Sequence, residues 1–330
     1  MKVMEDLTVV ELASVLAGPA VGRFFSELGA RVIKIENKTV GGDVTRHWKL
    51  PSEDPDAPTS AYFHSVNYRK EHRFLDLNDA ADLGETHRLI AGADVVISNF
   101  RPAAARRWKL DHDSLLQDHP RLIYAQLDAF GPDDERPAFD IILQAETGYL
   151  SMCGTAAGEA ARLPVALIDL LAAHQLKEGI LLALLRRERE GRGGLVRTSL
   201  YAAALSSLAN QATNYLIGGH VPGRMGTLHP NIAPYGDLFT TADGKPIVFA
   251  IGNDRQFSAL TELLDLPPDN RFTANGGRVS NRPALVNYLS PAVRHWECDP
   301  LLAACEKLRI PAGRLRDLAE VFEWEEARAL

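Results

Sequence analysis

Cysteine is scarce: Cys153, Cys298 and Cys305 are the three in 330 residues. None forms a CxxC pair, so the chain offers neither a zinc knuckle nor a disulfide framework, and a reducing cytoplasmic setting suits it. Basic charge is also short. Thirty-six Lys and Arg stand against 43 Asp and Glu, a formal net charge of -7. That balance works against nonspecific binding to nucleic acid or an anionic membrane surface. No apolar run is clean enough to span a bilayer. The longest candidate, residues 164–194, carries Asp169, His174, Lys177 and Glu178, and such charges are costly in lipid. Glu5 and Asp6 stand where a signal peptide would be basic. The dinucleotide fingerprint GxGxxG is missing too. Gly18 and Gly22 occupy the first strand–helix turn without it, although Glu36 ends the next strand where a ribose-binding acid would stand.

What is present is an ordinary globular composition, 46% hydrophobic and 24% charged, in a chain long enough for two domains. TVVELA (8–13) and RVIKIE (31–36) read as strands around a helix that ends near Gly29. This is a β-α-β unit, and it implies a parallel sheet. HRFLDL (72–77), ADVVISNF (93–100) and RLIYAQLDAFG (121–131) read as further strands. Short β runs separated by helical segments give an α/β class. Residues 164–194 then supply the longest helix, with Leu170, Leu171, Ile180, Leu181, Leu184 and Leu185 as much of its apolar surface and GRGG as its stop. LVRTSLYAAALSSLANQATNYLIGG follows as a strand and a small-residue helix. Gly218-Gly219 and Pro222-Gly223 mark a boundary. The expected division is a large domain over 1–220 and a smaller α+β domain over 225–330. The latter opens on a hairpin in YGDLFTTADGKPIVFAIG, with its turn at Asp243-Gly244, and closes in IPAGRLRDLAEV as a loop and a helix.

Asp169 is the conspicuous chemical group. PVALI before it suggests an extended entry and LLAAHQL after it a helix, which puts Asp169 at an N-cap or in the first turn. A capping role and a catalytic role as nucleophile or base are both open on local grounds. Asp140, at the start of another helix, reads by default as a cap. His174 lies five residues from Asp169 and faces another side of the helix. It reads as a core or interface histidine. Arg101 and Pro102 follow the end of a parallel strand, the edge where open α/β sheets bind ligands, and Arg suits phosphate geometry. Lys38, Arg46, Lys70 and Arg73 are surface charges singly and a polyphosphate site together. His229 opens the second domain.

Taken in order, ELASVLAGPAVGRFFSELGARVIKIE with GGDVTR, ADVVISNFRP, FDIILQAETG, the 164–194 segment, HPNIAPYGDLFTTADG, IGNDRQF and IPAGRLRDLAEV resemble the class III CoA-transferases. That family includes carnitine and bile-acid CoA-transferases and formyl-CoA transferase. The resemblance implies a Rossmann-like large domain joined to a smaller one, an interlocked homodimer, and coenzyme A arriving as an acyl-CoA substrate, with no permanently bound cofactor and no metal. It makes Asp169 the nucleophile, acting through aspartyl anhydride and aspartyl-CoA thioester stages on a free carboxylic acid acceptor, with small dicarboxylates such as succinate as the expected acids. Arg101, Lys38, Lys70, Arg73 and Leu16 become the expected CoA contacts. Phe139, Asp140, Gln144, Tyr149 and His229 become the expected substrate-side residues.

Two alternatives stand beside this. α-Methylacyl-CoA racemases in the same family pair the aspartate with a histidine immediately before the position of Asp140. Here that residue is Phe139, which cannot serve as the second base. An inactive CoA-binding homologue is the other alternative. It is suggested by an end at Leu330, soon after the IPAG motif, with the usual C-terminal return to the large domain missing or shortened.

Overall fold

The computed structural model describes residues 3–132 and 134–329. Its chain divides into two compact units, Met1–Ser151 with Ala161–Pro222, and Met152–Ala160 with Gly223–Leu330.

The first unit is built on six parallel strands: β1 (Thr8–Leu12), β2 (Arg31–Asn37), β3 (Glu71–Leu75), β4 (Val95–Ser98), β5 (Ile123–Asp128) and β6 (Gly194–Ser199). Their order is β3-β2-β1-β4-β5-β6, the Rossmann arrangement. β1, β2, β4 and β5 read as apolar runs because both sheet faces are covered there, whereas the edge strands β3 and β6 are only partly buried. Alternate residues enter opposite cores. Val9, Val95, Ile97, Ile123 and Ala125 join one; Val10, Ile33, Val96 and Tyr124 join the other. The first face is covered by α1 (Ala17–Glu27), and the second by α2 (Ala80–Ala91). The short α3 (Pro102–Arg107) follows β4, and α4 (His112–Asp118) adds Leu115 to the second core. After α5 (Asp140–Glu146), the long α6 (Leu167–Glu190) and α7 (Leu200–Ser206) complete the first face.

α6 departs from its expected apolar stripe. Of the six named residues only Ile180 is fully buried, and Leu185 is 60% exposed. The buried face is Ile168, Ala172, Ala173, Leu176, Ile180 and Ala183. At Gly179 the helix comes too close to the sheet for any side chain: a Cβ there would stand 2.5 Å from Val196 Cγ1. His174 is exposed on this helix, so the core reading of it is corrected. GRGG does end the helix, with Gly191 left-handed at φ +73°. The small-residue helix expected after β6 is broken at Ala209, where φ is +48°.

One face of β1 carries Glu11, which is fully buried. Its carboxylate takes Lys34 Nζ at 2.9 Å and Lys70 Nζ at 2.7 Å. Burial opposes its charge, and the two ammonium groups outweigh that and hold the carboxyl below its usual range. Gly22 makes room, because a Cβ there would lie 1.9 Å from Glu11 Oε2. Gly22→Ala is expected to part this buried cluster and cost about 3–5 kcal/mol. Urea unfolding measures it, and a loss below about 1 kcal/mol would contradict the account.

The second unit holds the antiparallel sheet β7 (Tyr235–Thr240), β8 (Pro246–Ala250) and β9 (Ala312–Arg314). Helices Asp254–Leu263, Arg282–Val293 and Cys298–Lys307 pack on it through Phe257, Leu260, Leu285, Leu289, Leu301 and Cys305. The hairpin turns at Asp243-Gly244, with Gly244 at φ +77°. The loop expected at IPAG contains a strand instead. Three residues are too few to show alternation, and β9 exists through its pairing with β8, Ile247 opposite Arg314.

Candidate active site

The order of the strands reverses between β1 and β4, and the loops leaving their carboxyl ends part there. Such a switch point is where open α/β sheets take ligands. A cavity of about 660 Å³ lies there, bounded by the segments Ser14–Ala17 and Asn99–Pro102, by Asp128 and Phe139, and by Asp169. A second cavity of about 300 Å³ lies over the ends of β1, β2 and β3, with Glu36, Asn37, Asn78 and Trp108 in its lining. The two share Ser14 and Phe100.

Asp169 is in the first turn of α6 and is not its cap. The capping position is Ala166, which offers no side-chain bond. The cap comes from another helix. Asp140 Oδ1 accepts the N–H of Ile168 at 2.8 Å and that of Asp169 at 3.4 Å. Asp140 therefore does not cap its own helix. It stands at the first position of α5, behind Phe139, and the Gln144 amide donates to its other oxygen. Gln144 is fully buried and fixed in turn, its Oε1 accepting from Leu163 N at 2.9 Å.

With the helix start satisfied by Asp140, the Asp169 carboxylate has no hydrogen-bond donor among the described residues. It is 7% exposed. Burial first, and then the Asp140 charge, push its carboxyl up to about 7. An anion there is poorly stabilised, and a carboxylate short of solvent and partners is a stronger nucleophile for the same reason. Tyr62 stands beside the pair, its hydroxyl raised by burial and by Asp169 and Asp140. Its ring meets Trp48 edge-on at 5.2 Å, and Trp48 lies 6.3 Å from Phe139.

The other expected residues separate. Arg101 lines the larger cavity and stands at the N-cap position of α3 without a side-chain cap bond, and its guanidinium makes no ion pair among the described residues. Leu16 and Phe139 line the same cavity, Phe139 being 57% exposed. Lys38 is half-exposed and pairs with Asp82. Arg73 lines neither cavity and approaches Glu71 at 3.6 Å. Lys70 has no exposed side-chain surface, so the expectation of a phosphate contact is corrected. Its ammonium donates to Glu11, to the Pro19 carbonyl at 2.8 Å and to Asn67 at 3.2 Å. Burial, with Lys34 nearby, pulls it down to about 8 against the pull of Glu11. Tyr149 donates its hydroxyl to the Ala204 carbonyl at 3.1 Å. His229 belongs to the second unit, where its Nδ1 accepts from Asn231 N at 3.1 Å. Glu36 is unavailable to a ribose: Arg46 holds it in a two-bond fork, both at 2.7 Å, and His72 lies 2.6 Å away.

Sequence reasoning missed Trp48, Tyr62 and Asp43. Asp43 lies in GGDVTR, a segment visible as part of a motif but without local evidence of what it bonds. Its carboxylate accepts the N–H of Val15, at 3.1 Å to the nearer oxygen. Val15 is left-handed at φ +74°, a conformation that costs a branched residue about 1–3 kcal/mol.

Among known proteins, residues 4–330 match the model of CoA-transferase family III. The succinate–glutarate CoA-transferase of Agrobacterium fabrum is 36% identical over 328 residues, covering 97% of this chain and 81% of that protein. The acetyl-CoA:oxalate CoA-transferase of Acetobacter aceti is 34% identical, covering 96% and 81%. The crystal structure of a CAIB/BAIF family protein from Brucella suis superposes with a TM-score of 0.83 at 38% identity, over 98% of this chain and 87% of that one. Together with the Rossmann order and the smaller α+β unit, these matches place the chain in CoA-transferase family III, as an enzyme of CoA transfer.

Proposed function

We propose that the chain moves coenzyme A from an acyl-CoA donor to a free small dicarboxylic acid, with Asp169 as the nucleophile. The observation that carries this is the Asp169 carboxylate, buried and without a donor among the described residues, in the cavity at the sheet's switch point. Asp169 attacks the thioester carbonyl and the C–S bond breaks, giving a mixed anhydride and CoA thiolate. The thiolate attacks the aspartyl carbonyl, releasing the donor acid and leaving an aspartyl-CoA thioester. The acceptor carboxylate attacks that thioester, and the thiolate returns to the acceptor's acyl carbon, freeing Asp169. Thioester is exchanged for thioester, so the balance needs no metal or redox partner.

Arg101, without an ion pair among the described residues, supplies a cation for the CoA phosphates, and Lys38 a second one once it leaves Asp82. The smaller cavity suits the nucleotide end, with Trp108 as a flat surface and Asn37 and Asn78 as hydrogen-bonding groups. Leu16 and Phe139 border the acyl group. The choice of dicarboxylates rests on the succinate, glutarate and oxalate in the names of the two relatives. A homodimer belongs to the same reading. Leu216, Ile217 and Val221 are 74%, 86% and 72% exposed, an apolar group that association would cover. Among the described residues, no helix is long and apolar enough to cross a membrane.

A panel assay tests the function. The protein is incubated in heavy water with succinyl-CoA and glutarate, oxalate, benzoate or carnitine, and every thioester is followed by mass. The expected result is a new dicarboxylyl-CoA matched by loss of succinyl-CoA. A 2-methylacyl-CoA run beside these that takes up deuterium at its α-carbon, with no new thioester in any mixture, would replace the reading with an epimerase. CoA binding with neither product would remove the enzymatic reading.

A further inference from the structure

The loop between β1 and α1 is clamped from both sides. On one flank, Asn99 Oδ1 accepts Ser14 N at 3.3 Å and its amide donates to the Ser14 carbonyl at 3.1 Å. On the other, Lys34 Nζ donates to the Ala13 carbonyl at 2.6 Å and sits 3.0 Å from Asp43 Oδ2. Asp43 closes the clamp on Val15 N and is itself fixed by Thr45, whose N–H and hydroxyl donate to it at 3.0 and 2.8 Å. Neither the Asp43 nor the Lys34 side chain has more than 1% of its surface exposed.

A carboxylate buried against a lysine explains itself as an ion pair and needs no further partner. The left-handed valine does not follow from that pair. Val15 lies within the Ser14–Ala17 segment that bounds the cavity holding Asp169. Nothing in its own chemistry favours φ +74°, and a glycine would adopt that angle freely. The Asp43 bond supplies what the side chain at position 15 opposes. Strained backbone of this kind persists where surrounding structure over-determines it, and it gathers at functional sites.

We infer that Asp43 is a positioning residue for CoA transfer: by holding Val15 left-handed, it fixes the Ser14–Ala17 wall of the cavity in which the thioester meets Asp169. This rests on the reading of that cavity as the catalytic one. Asp43 lines the smaller cavity and not the one holding Asp169, so it acts on the latter through the loop. Its loss should therefore misplace the acyl group and lower kcat more than it raises KM for acyl-CoA.

The test uses the full chain with succinyl-CoA and the acid panel, well below each variant's Tm. Asp43→Ala and Asp43→Asn are each measured alone and with Val15→Gly, beside Asp169→Ala. Asp43→Ala is expected to lower kcat by about tenfold or more, and Asp43→Asn by less. Adding Val15→Gly should restore about threefold in either background, with Val15→Gly alone as the reference against which each double variant is read. A purely structural Asp43 would give no such rescue, because glycine at 15 does nothing for Lys34. Folded Asp43 variants with unchanged kcat would overturn the inference, and so would a loss indifferent to Val15→Gly. If Asp43→Ala does not fold, Asp43→Asn with and without Val15→Gly decides between the same outcomes. Full activity in Asp169→Ala would bring down the catalytic reading itself. An inactive Asp169→Ala beside unimpaired Asp43 variants would bring down this inference alone.

Discussion

Replacing Asp169 with alanine is expected to lower kcat/KM for CoA transfer by about 10⁴-fold or more, with the fold retained. Loss of a covalent nucleophile removes the path, since nothing else in its place can form the acyl-enzyme. The fold should survive because Asp169 caps nothing. Asp140 satisfies the helix start, and the Asp169 side chain has no hydrogen bond to lose among the described residues. Stability should even rise in a pH-dependent way. The unfolded carboxyl titrates near 3.8 and the folded one near 7. The folded chain therefore keeps a proton that the unfolded chain releases between these values, and stability contributed by Asp169 is full below the lower value and lost as pH rises through the upper. Asp169→Asn, which cannot ionise, should gain on the order of 1–3 kcal/mol over the unaltered protein at pH 8 and little at pH 4. Thermal unfolding at the two pH values measures the difference. Equal effects at both would show that the carboxyl is not held high.

The second large effect is on the pH profile. Only the ionised carboxylate attacks, and kcat/KM reports the free enzyme. Activity should fall about tenfold per pH unit below a midpoint near 7 and level off above it. Asp140→Asn should move that midpoint to lower pH, because one of the two causes of the shift is the Asp140 charge. The amide oxygen of asparagine still accepts the Ile168 N–H, so the cap is kept while the charge is removed, at the cost of the Gln144 bond to the other oxygen. Rates over pH 4.5–8.5 for both proteins decide this. An unmoved midpoint in Asp140→Asn would mean that the two carboxylates are electrostatically independent.

The parts of this molecule that were legible in its sequence are the local ones. Strands β1, β2, β4 and β5 announce themselves as Val- and Ile-rich runs because both of their faces are buried. Gly191 marks the end of α6 because a left-handed residue was needed there. Asp169 stood out as a carboxylate among apolar residues. Its freedom did not, because that depends on Asp140, 29 residues away. The same holds for Asp43 and Val15, 28 residues apart, and for Glu11 and Lys70, 59 apart. Lysines in a polar stretch read as surface charges, and Lys70 became a core residue only because Glu11 faces it across the first helix. The leucines of α6 misled for a related reason. Periodicity reports which residues share a face, whereas the choice of face was made by the small residues that let the helix reach the sheet.

Trapping the covalent intermediate tests the central claim most directly. The protein is incubated with succinyl-CoA, quenched into neutral hydroxylamine, digested and mapped by mass. Hydroxylamine converts an aspartyl anhydride or aspartyl thioester to the aspartyl hydroxamate. The account predicts that modification on the peptide carrying Asp169, dependent on acyl-CoA and absent from Asp169→Ala. Full turnover with Asp169 unmodified, or with the hydroxamate on another carboxylate, would contradict it.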